Sequence, residues 1–498
     1  MKSLKYLLSL VCLVVVTSLQ AQSDVSRCAT HEYSLLKGVA NPGYANAVAA
    51  TFEQALENAH HNPAFAHRNT LRVPVVVHVV YHLDQENISD ELIQAQINQL
   101  NLDYRRLNDN ASDTREEFLP VAADAQIEFY LAELDPEGNT TTGITHTYTD
   151  REDFNIAGDL TVVIEALAEC GVTDITDYGQ LLANLPCVLA ALEAAGIDIY
   201  DLIGGTGTTT GLDEMKFDDT GGINAWPTDQ YLNIWVCNLA GDLNAGLGGG
   251  ILGFAYPPAD APNWPAGQSG TPETDGVVIH YQVIGPDNPQ LELPYSSVVG
   301  NGRTAVHEVG HYLGLRHIWG DGACAEDDGI EDTPPADGQS QQDCDYTKNT
   351  CTESPVELPD MIENYMDYSD EDCMNVFTQG QVDIMRAMLL GPRSSLLNSE
   401  TELTTPNADF IASSTEVLTG ESVLFTSTIT GGAIETINWN FGDGNTSTEA
   451  NPVYVYNTPG VYDVTLTVTN SLGFDSETKT AYMVVTGNAI GIAEQLID

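Results

Sequence analysis

Basic side chains are scarce in this sequence: 17 lysines and arginines stand against 72 aspartates and glutamates, a formal net charge of −55 over 498 residues. Such a polyanion repels phosphate backbones and argues against a nucleic-acid partner. It also strains the fold by self-repulsion, which salt or bound cations relieve. The excess reads as adaptation to a salty medium, with some cation sites within it. Long apolar runs are scarce as well. Past the first residues nothing approaches the roughly 20 apolar positions a membrane span needs. The early run, residues 6–16, is short, follows Lys2 and Lys5, and precedes the small residue Ala21. That is the pattern of an export signal over residues 1–21 and predicts a secreted, extracellular chain. Cysteines number only nine. Cys12 would leave with the signal, and pairing is the default for the others in an exported chain.

What remains is globular material, 42% hydrophobic, and long enough for two or more folded units. Residues 22–70 are rich in Ala, Asn and His, with a helical stretch around 45–60, and read as a pro-segment. Residues 71–81 (LRVPVVVHVVY) form a β-branched run expected to be a buried strand. Residues 90–107 carry apolar positions at helical spacing behind a Ser89 or Asp90 cap, and residues 125–134 are the next strand. Strand, helix, strand predicts an α/β (α+β) unit with a largely parallel sheet. Further strands are expected at 231–239, 252–256 and 277–283. Residues 155–212 read as a helical insertion, stapled by Cys170 and Cys187. A Ser/Thr/Glu/Asn-rich linker spans 396–405. From 406 to 486, alternation such as Tyr462, Val464, Leu466 and Val468 on one face predicts an Ig-like all-β sandwich. Residues 487–498 are a tail.

The chemistry concentrates in residues 306–318, VHEVGHYLGLRHI. His307 and His311 are one helical turn apart, so they share a face and can share a metal ion. Glu308, beside the first ligand, is placed to take a proton from water. Gly314 lets the chain leave the helix sharply, and His317 can swing back as a third ligand. Three ligands leave a position open on zinc, the arrangement of catalytic rather than structural sites. Residues 363–368 read ENYMDY, and HExxHxxGxxH followed by a methionine turn is the metzincin signature. Met366 is the expected apolar floor beneath the metal. Tyr368 could reach the metal or a developing oxyanion. The competing reading is a surface adhesion or binding protein with a structural or degenerate metal site; the intact Glu308 argues against it.

The segments VPVVVHVVY, LNLDYRRLN, YLNIWVCNL, HEVGHYLGLRHIWG, DGIEDTP, ENYMDY and FTQGQVDIMR make residues 70–395, apart from 155–212, resemble the pappalysin family of metzincins, in its cytophagalysin-like bacterial branch. The resemblance implies a metzincin protease domain over 71–395 and zinc endopeptidase activity on protein or peptide substrates. It assigns Glu308 as general base and Tyr368 as a candidate transition-state stabiliser. It implies calcium near the site, which would fall to the acidic loop Glu326, Asp327, Asp328, Glu331 and Asp332. It implies two disulfides, Cys324 with Cys351 and Cys344 with Cys373, leaving Cys28 and Cys237; the latter lies in a hydrophobic strand and reads as a buried thiol.

Cys28, in Arg27-Cys28-Ala29-Thr30, resembles the pro-segment cysteine with which relatives occupy the zinc of a latent zymogen, although Ala29 stands where the relatives usually have Gly. Asp372 stands where relatives that cut before Arg or Lys carry an acidic pocket residue. Autolysis before Arg68 or Arg72 would follow. Residues 406–486 resemble a PKD-type module through NWNFGDG (438–444) and TPGVY (458–462), with Trp439 in its core. Such modules occur as spacers or as appendages that bind polymeric substrates or cell surfaces. The tail resembles the lead-in to a C-terminal secretion-sorting domain.

Overall fold

A computed structural model describes residues 27–31, 34, 42–61, 69–154, 169–171, 184, 186–188, 190–191, 194, 211–239, 251–256, 272–291, 298–340, 343–352, 357–399 and 401–487. The expected export signal, most of the 155–212 insertion, Arg68 and nearly all of the tail lie outside the described residues.

Two compact units divide the chain. The larger comprises residues 1–131 and 144–399. Its central strand, β1 (Leu71–Tyr81), has eight consecutive buried residues. Continuous burial is what a parallel strand covered on both faces requires, and it explains the unbroken β-branched run. The first half of β1 pairs in parallel with β3 (Ile127–Leu131), its second half with β4 (Ile144–Tyr148). On its other side lies β5 (Leu232–Cys237), also parallel, followed by β7 (Val277–His280). An antiparallel strand, β6 (Gly253–Ala255), closes that edge. A short pair, β2 (Ala122–Ala123) with β8 (Phe377–Thr378), stands apart.

Helix α1 (Pro42–His61) packs on α4 (Gln379–Leu390), burying Phe52 and Ala55. Helix α2 (Asp90–Tyr104) starts at Ser89, whose hydroxyl accepts from the Leu92 amide, and it buries Ile93, Ile97 and Leu100. It ends before the expected residue 107 because Arg106 turns left-handed, at φ 49°. The strand expected at 277–283 likewise ends at His280 and continues as a single 3-10 turn. Helix α3 (Arg303–Tyr312), with all ten residues buried, lies between α2 and the strands β6 and β7.

The smaller unit comprises residues 400–498 together with 132–143. The second segment was not expected there. It joins because the Glu133 and Leu134 amides donate to the Thr401 carbonyl and Ala433 donates to the Gly138 carbonyl. One sheet holds β10 (Glu416–Leu418), β16 (Gly473–Thr486), β15 (Gly460–Asn470), β12 (Thr436–Asn440) and β13 (Thr446–Ser447), in that order. The other holds β14 (Val453–Val455), β11 (Ser422–Thr430) and β9 (Asn407–Ala412). Between the sheets Trp439 is fully buried among Phe410, Phe425 and Leu466, and its indole N–H donates to the Glu449 carbonyl at 2.9 Å.

Candidate metal centre

One turn of α3 separates His307 from His311, and both rings leave the same face. At Gly314 the chain exits with φ 92°, and a Cβ there would stand 2.7 Å from Met388 Cε. This glycine therefore sets both the turn and the packing beneath it. The exit carries His317 back over the helix. The three Nε2 atoms end 3.0 to 3.2 Å apart. Zinc held by imidazoles at about 2.0–2.1 Å in tetrahedral geometry needs nitrogens roughly 3.3 Å apart, so the triad fits the ion.

Each ring is aimed by its other nitrogen. His307 Nδ1 meets the Tyr365 carbonyl at 2.7 Å, His311 Nδ1 meets the Leu315 carbonyl at 2.8 Å, and His317 Nδ1 meets the Asp321 carboxylate. Such partners fix which nitrogen faces the metal. Burial, and then repulsion from neighbouring imidazoles, lowers His307 well below the usual histidine range and His311 to about 3. Neutral imidazole is the ligand form. Met366 lies under the helix, fully buried, and a Cβ on Gly310 would come within 2.5 Å of its sulfur. The Tyr368 ring stands 5.6 Å from His307 and 5.1 Å from His317. Trp319 stacks on His317 at 4.3 Å.

Residues 27–31 lie across this centre. Cys28 Sγ and the three Nε2 atoms all fall within 4.8 Å of one another; among the described residues no other group of three or more His, Cys, Asp or Glu gathers so closely. The Ala29 amide donates to the Gly253 carbonyl at 3.0 Å, and the Ala255 amide donates to Thr30 Oγ1 at 2.8 Å, so the segment lines β6. Thr30 Oγ1 also donates to Glu308 Oε2 at 3.0 Å, and Tyr368 donates to the Cys28 carbonyl at 3.0 Å. His31 pairs with Asp321 at 3.0 Å. The sequence pointed to Cys28 alone. Thr30 and His31 carried no signal beyond standing next to it.

Arg27 lies next to the place expected of Asp372. Its guanidinium is buried, reaching the Ser369 carbonyl and Glu371 Oε1, the latter at 3.1 Å. It borders a small cavity with Thr304, His307 and Tyr368. The shielded carboxylate here is thus Glu371, not Asp372. Asp372 is exposed and accepts from Asn301 Nδ2 at 2.8 Å. The two acids are the central residues of a turn that the Cys373 amide closes on the Asp370 carbonyl at 3.0 Å, so their side chains leave in different directions. Glu371 is the one turned inward, onto the Asn301 amide at 2.8 Å and the Thr304 amide at 2.8 Å. It so supplies the first turn of α3 with the acceptor that Gly302, at the N-cap, lacks.

The acidic loop is not one cluster. Glu326, Asp327 and Glu331 are exposed. Asp328 points inward, one oxygen accepting from Ile330 N and Thr333 Oγ1, and burial raises its pKa well above the usual range. Asp332 accepts from the Gly380 amide at the start of α4. Asp328 Oδ2 and Asp332 Oδ1 are buried and have no hydrogen-bond partner among the described residues. Disulfides join Cys324 to Cys351, Cys344 to Cys373 and Cys170 to Cys187. Cys237 is a free, buried thiol whose pKa burial raises.

Comparison with known proteins meets this geometry. Residues 292–390 match the family described as pregnancy-associated plasma protein-A, and residues 403–485 match the PKD domain. An extracellular metalloprotease of Pyricularia oryzae is 36% identical over 153 residues, 30% of this chain and 48% of that protein. Extracellular metalloprotease 1 of Coccidioides posadasii is 38% identical over 141 residues, 28% of this chain and 45% of that protein. The matches thus span about half the length of these relatives. A promirolysin mutant of Tannerella forsythia superposes with a TM-score of 0.51 at 35% identity, covering 70% of this chain and 91% of that one. The chain belongs to the pappalysin family of metzincin metalloproteases and carries a PKD domain after the metzincin unit.

Proposed function

We propose that the chain is a secreted zinc endopeptidase made as a latent zymogen, with a preference for Arg or Lys after the scissile bond. The observation that carries the reading is the convergence of His307, His311 and His317 Nε2 beside the buried carboxylate of Glu308. When bound, zinc would acidify water towards neutral pH and polarise the scissile carbonyl.

The chain's own residues do the rest. Glu308 takes the proton of the attacking water and passes it to the leaving amine. Tyr368, once Cys28 has gone, donates its hydroxyl to the oxyanion. An extended substrate would take over the β6 groups that residues 29–30 use, the Gly253 carbonyl and the Ala255 amide. Latency follows from the same contacts. Cys28 would supply a further ligand to zinc beside the three histidines, and Thr30 holds the base. Arg27 fills the space beside Glu371, and its removal would leave a shielded carboxylate suited to a guanidinium or ammonium group. Autolysis before Arg68 would then mature the chain, whereas the bond before Arg72 lies within β1, paired with β3.

Calcium is proposed at the 326–332 loop, supported by the unpartnered buried oxygens of Asp328 and Asp332. The PKD domain is proposed as a spacer or polymer-binding appendage. Zinc content together with casein cleavage, each measured with and without Glu308→Ala, tests the reading. One zinc per chain in both proteins, with cleavage only by the wild type, is expected.

A further inference from the structure

The triad and the Glu371 pocket lie on different segments, and one buried ion pair connects them. Asp103, the penultimate residue of α2, pairs with Arg303 at the start of α3 at 3.4 Å; the two residues are only 2% and 5% exposed. Asp103 Oδ1 also accepts from the Tyr365 hydroxyl at 2.6 Å. Through its backbone carbonyl the same Tyr365 accepts from His307 Nδ1 at 2.7 Å. Gln99 donates to Asp103 Oδ2 at 2.8 Å. On the other branch, Arg303 donates to the Glu371 carbonyl and, at 2.8 Å, to Asn110 Oδ1. Asn110 Nδ2 in turn donates to the carbonyls of Asp372 at 3.0 Å and Met374 at 3.1 Å.

We propose that Asp103 and Arg303 are positioning residues that hold the orientation of the metal ligand His307 and the backbone of the Glu371 pocket in one frame. Tyr365 is the shared part on the metal side, since its hydroxyl is fixed by Asp103 while its carbonyl fixes the imidazole. Arg303 is the shared part on the pocket side, since it sits one residue before Thr304, whose amide holds Glu371. A pair that only tied α2 to α3 would need neither branch. Partners behind a ligand histidine change metal affinity or activity about 10- to 100-fold when removed. The pocket branch rests on the basic-residue preference proposed above; the metal branch does not.

The test uses the full chain with Asp103→Asn, Tyr365→Phe and Arg303→Lys, and Ile93→Val in the core face of α2 as a packing control. Zinc Kd is read by competition with a chromogenic chelator, at a temperature where far-ultraviolet dichroism shows each protein folded. After maturation, kcat and KM are read on matched peptides with Arg or norleucine after the scissile bond. Asp103→Asn and Tyr365→Phe are expected to weaken zinc about tenfold, a scale set by lost partners of ligand histidines. Arg303→Lys is expected to lower the Arg-to-norleucine ratio through KM while zinc Kd stays within twofold, and Ile93→Val to move neither. Zinc Kd unchanged in both Asp103→Asn and Tyr365→Phe would overturn the proposal. If Asp103→Asn does not fold, Tyr365→Phe alone decides. Weakened zinc in a protein whose wild type shows no basic preference would retire the pocket reading and leave the His307 role supported. A wild-type preference that Arg303→Lys leaves intact would overturn the coupling.

Discussion

Cys28 Sγ donates to Glu308 Oε2 at 3.4 Å, so the residue expected to cap the metal also occupies the proposed base. Thr30 reaches the same oxygen. Latency therefore has two parts, a ligand on the metal and a clamp on the carboxylate. Cys28→Ala is expected to yield a zymogen that activates faster than wild type. Thr30→Val, which keeps the shape and removes the hydroxyl, should speed activation less. Time courses of processing, followed by gel and by peptide cleavage, check the order. Equal rates for all three proteins would mean that residues 27–31 do not control latency.

Specificity separates two neighbouring acids. Glu371→Gln keeps an oxygen for the Thr304 amide but removes the charge facing Arg27. Its preference for Arg after the scissile bond should fall about 10- to 100-fold, the scale of a hydrogen bond to a charged group. Asp372→Asn should change it little, because that side chain is exposed. A peptide-library profile of each variant reads this directly. The reverse ranking would return the pocket to Asp372.

The sequence foretold the metal centre far better than the pocket, for a physical reason. Helical spacing and a glycine exit place His307, His311 and His317 without reference to the rest of the chain. Whether Glu371 or Asp372 faces inward depends on the turn at 370–373 and on the Asn301 and Thr304 amides that receive Glu371, which no local pattern records. In the acidic loop, likewise, spacing shows five acids but not that Asp328 alone is buried among them. The long buried run of β1 was legible because a parallel strand needs it. The joining of residues 132–143 to the PKD unit was not, since it depends on backbone hydrogen bonds to residues remote in sequence.

Acid should weaken the fold through histidines away from the metal. Burial lowers both His78 and His280 from 6.5 to about 4. The unfolded chain binds protons that these sites refuse, so stability rises with pH across that window. Their contribution is complete above pH 6.5 and is lost progressively as pH falls towards 4, by at most about 3 kcal/mol each at 1.36 kcal/mol per unit. His78→Gln should flatten the dependence between these limits. Urea denaturation at pH 7, 5.5 and 4 measures it, and parallel curves for the two proteins would contradict the assignment.

Calcium has a narrower signature. With zinc kept saturated, removing calcium should lower the Tm of the wild type through lost native-state binding. Asp328→Asn should start lower in calcium and respond little to its removal. Identical melting curves for the wild type with and without calcium would count against a site in the 326–332 loop.

The central claim is tested most directly by measuring metal content and peptide-bond hydrolysis together in matured wild type and Glu308→Ala. The account predicts one zinc per chain in both, and a loss of cleavage of at least ~100-fold in the variant, the scale of a lost acid–base residue. Undiminished cleavage by a zinc-loaded Glu308→Ala, or a wild type that cleaves without zinc, would contradict it.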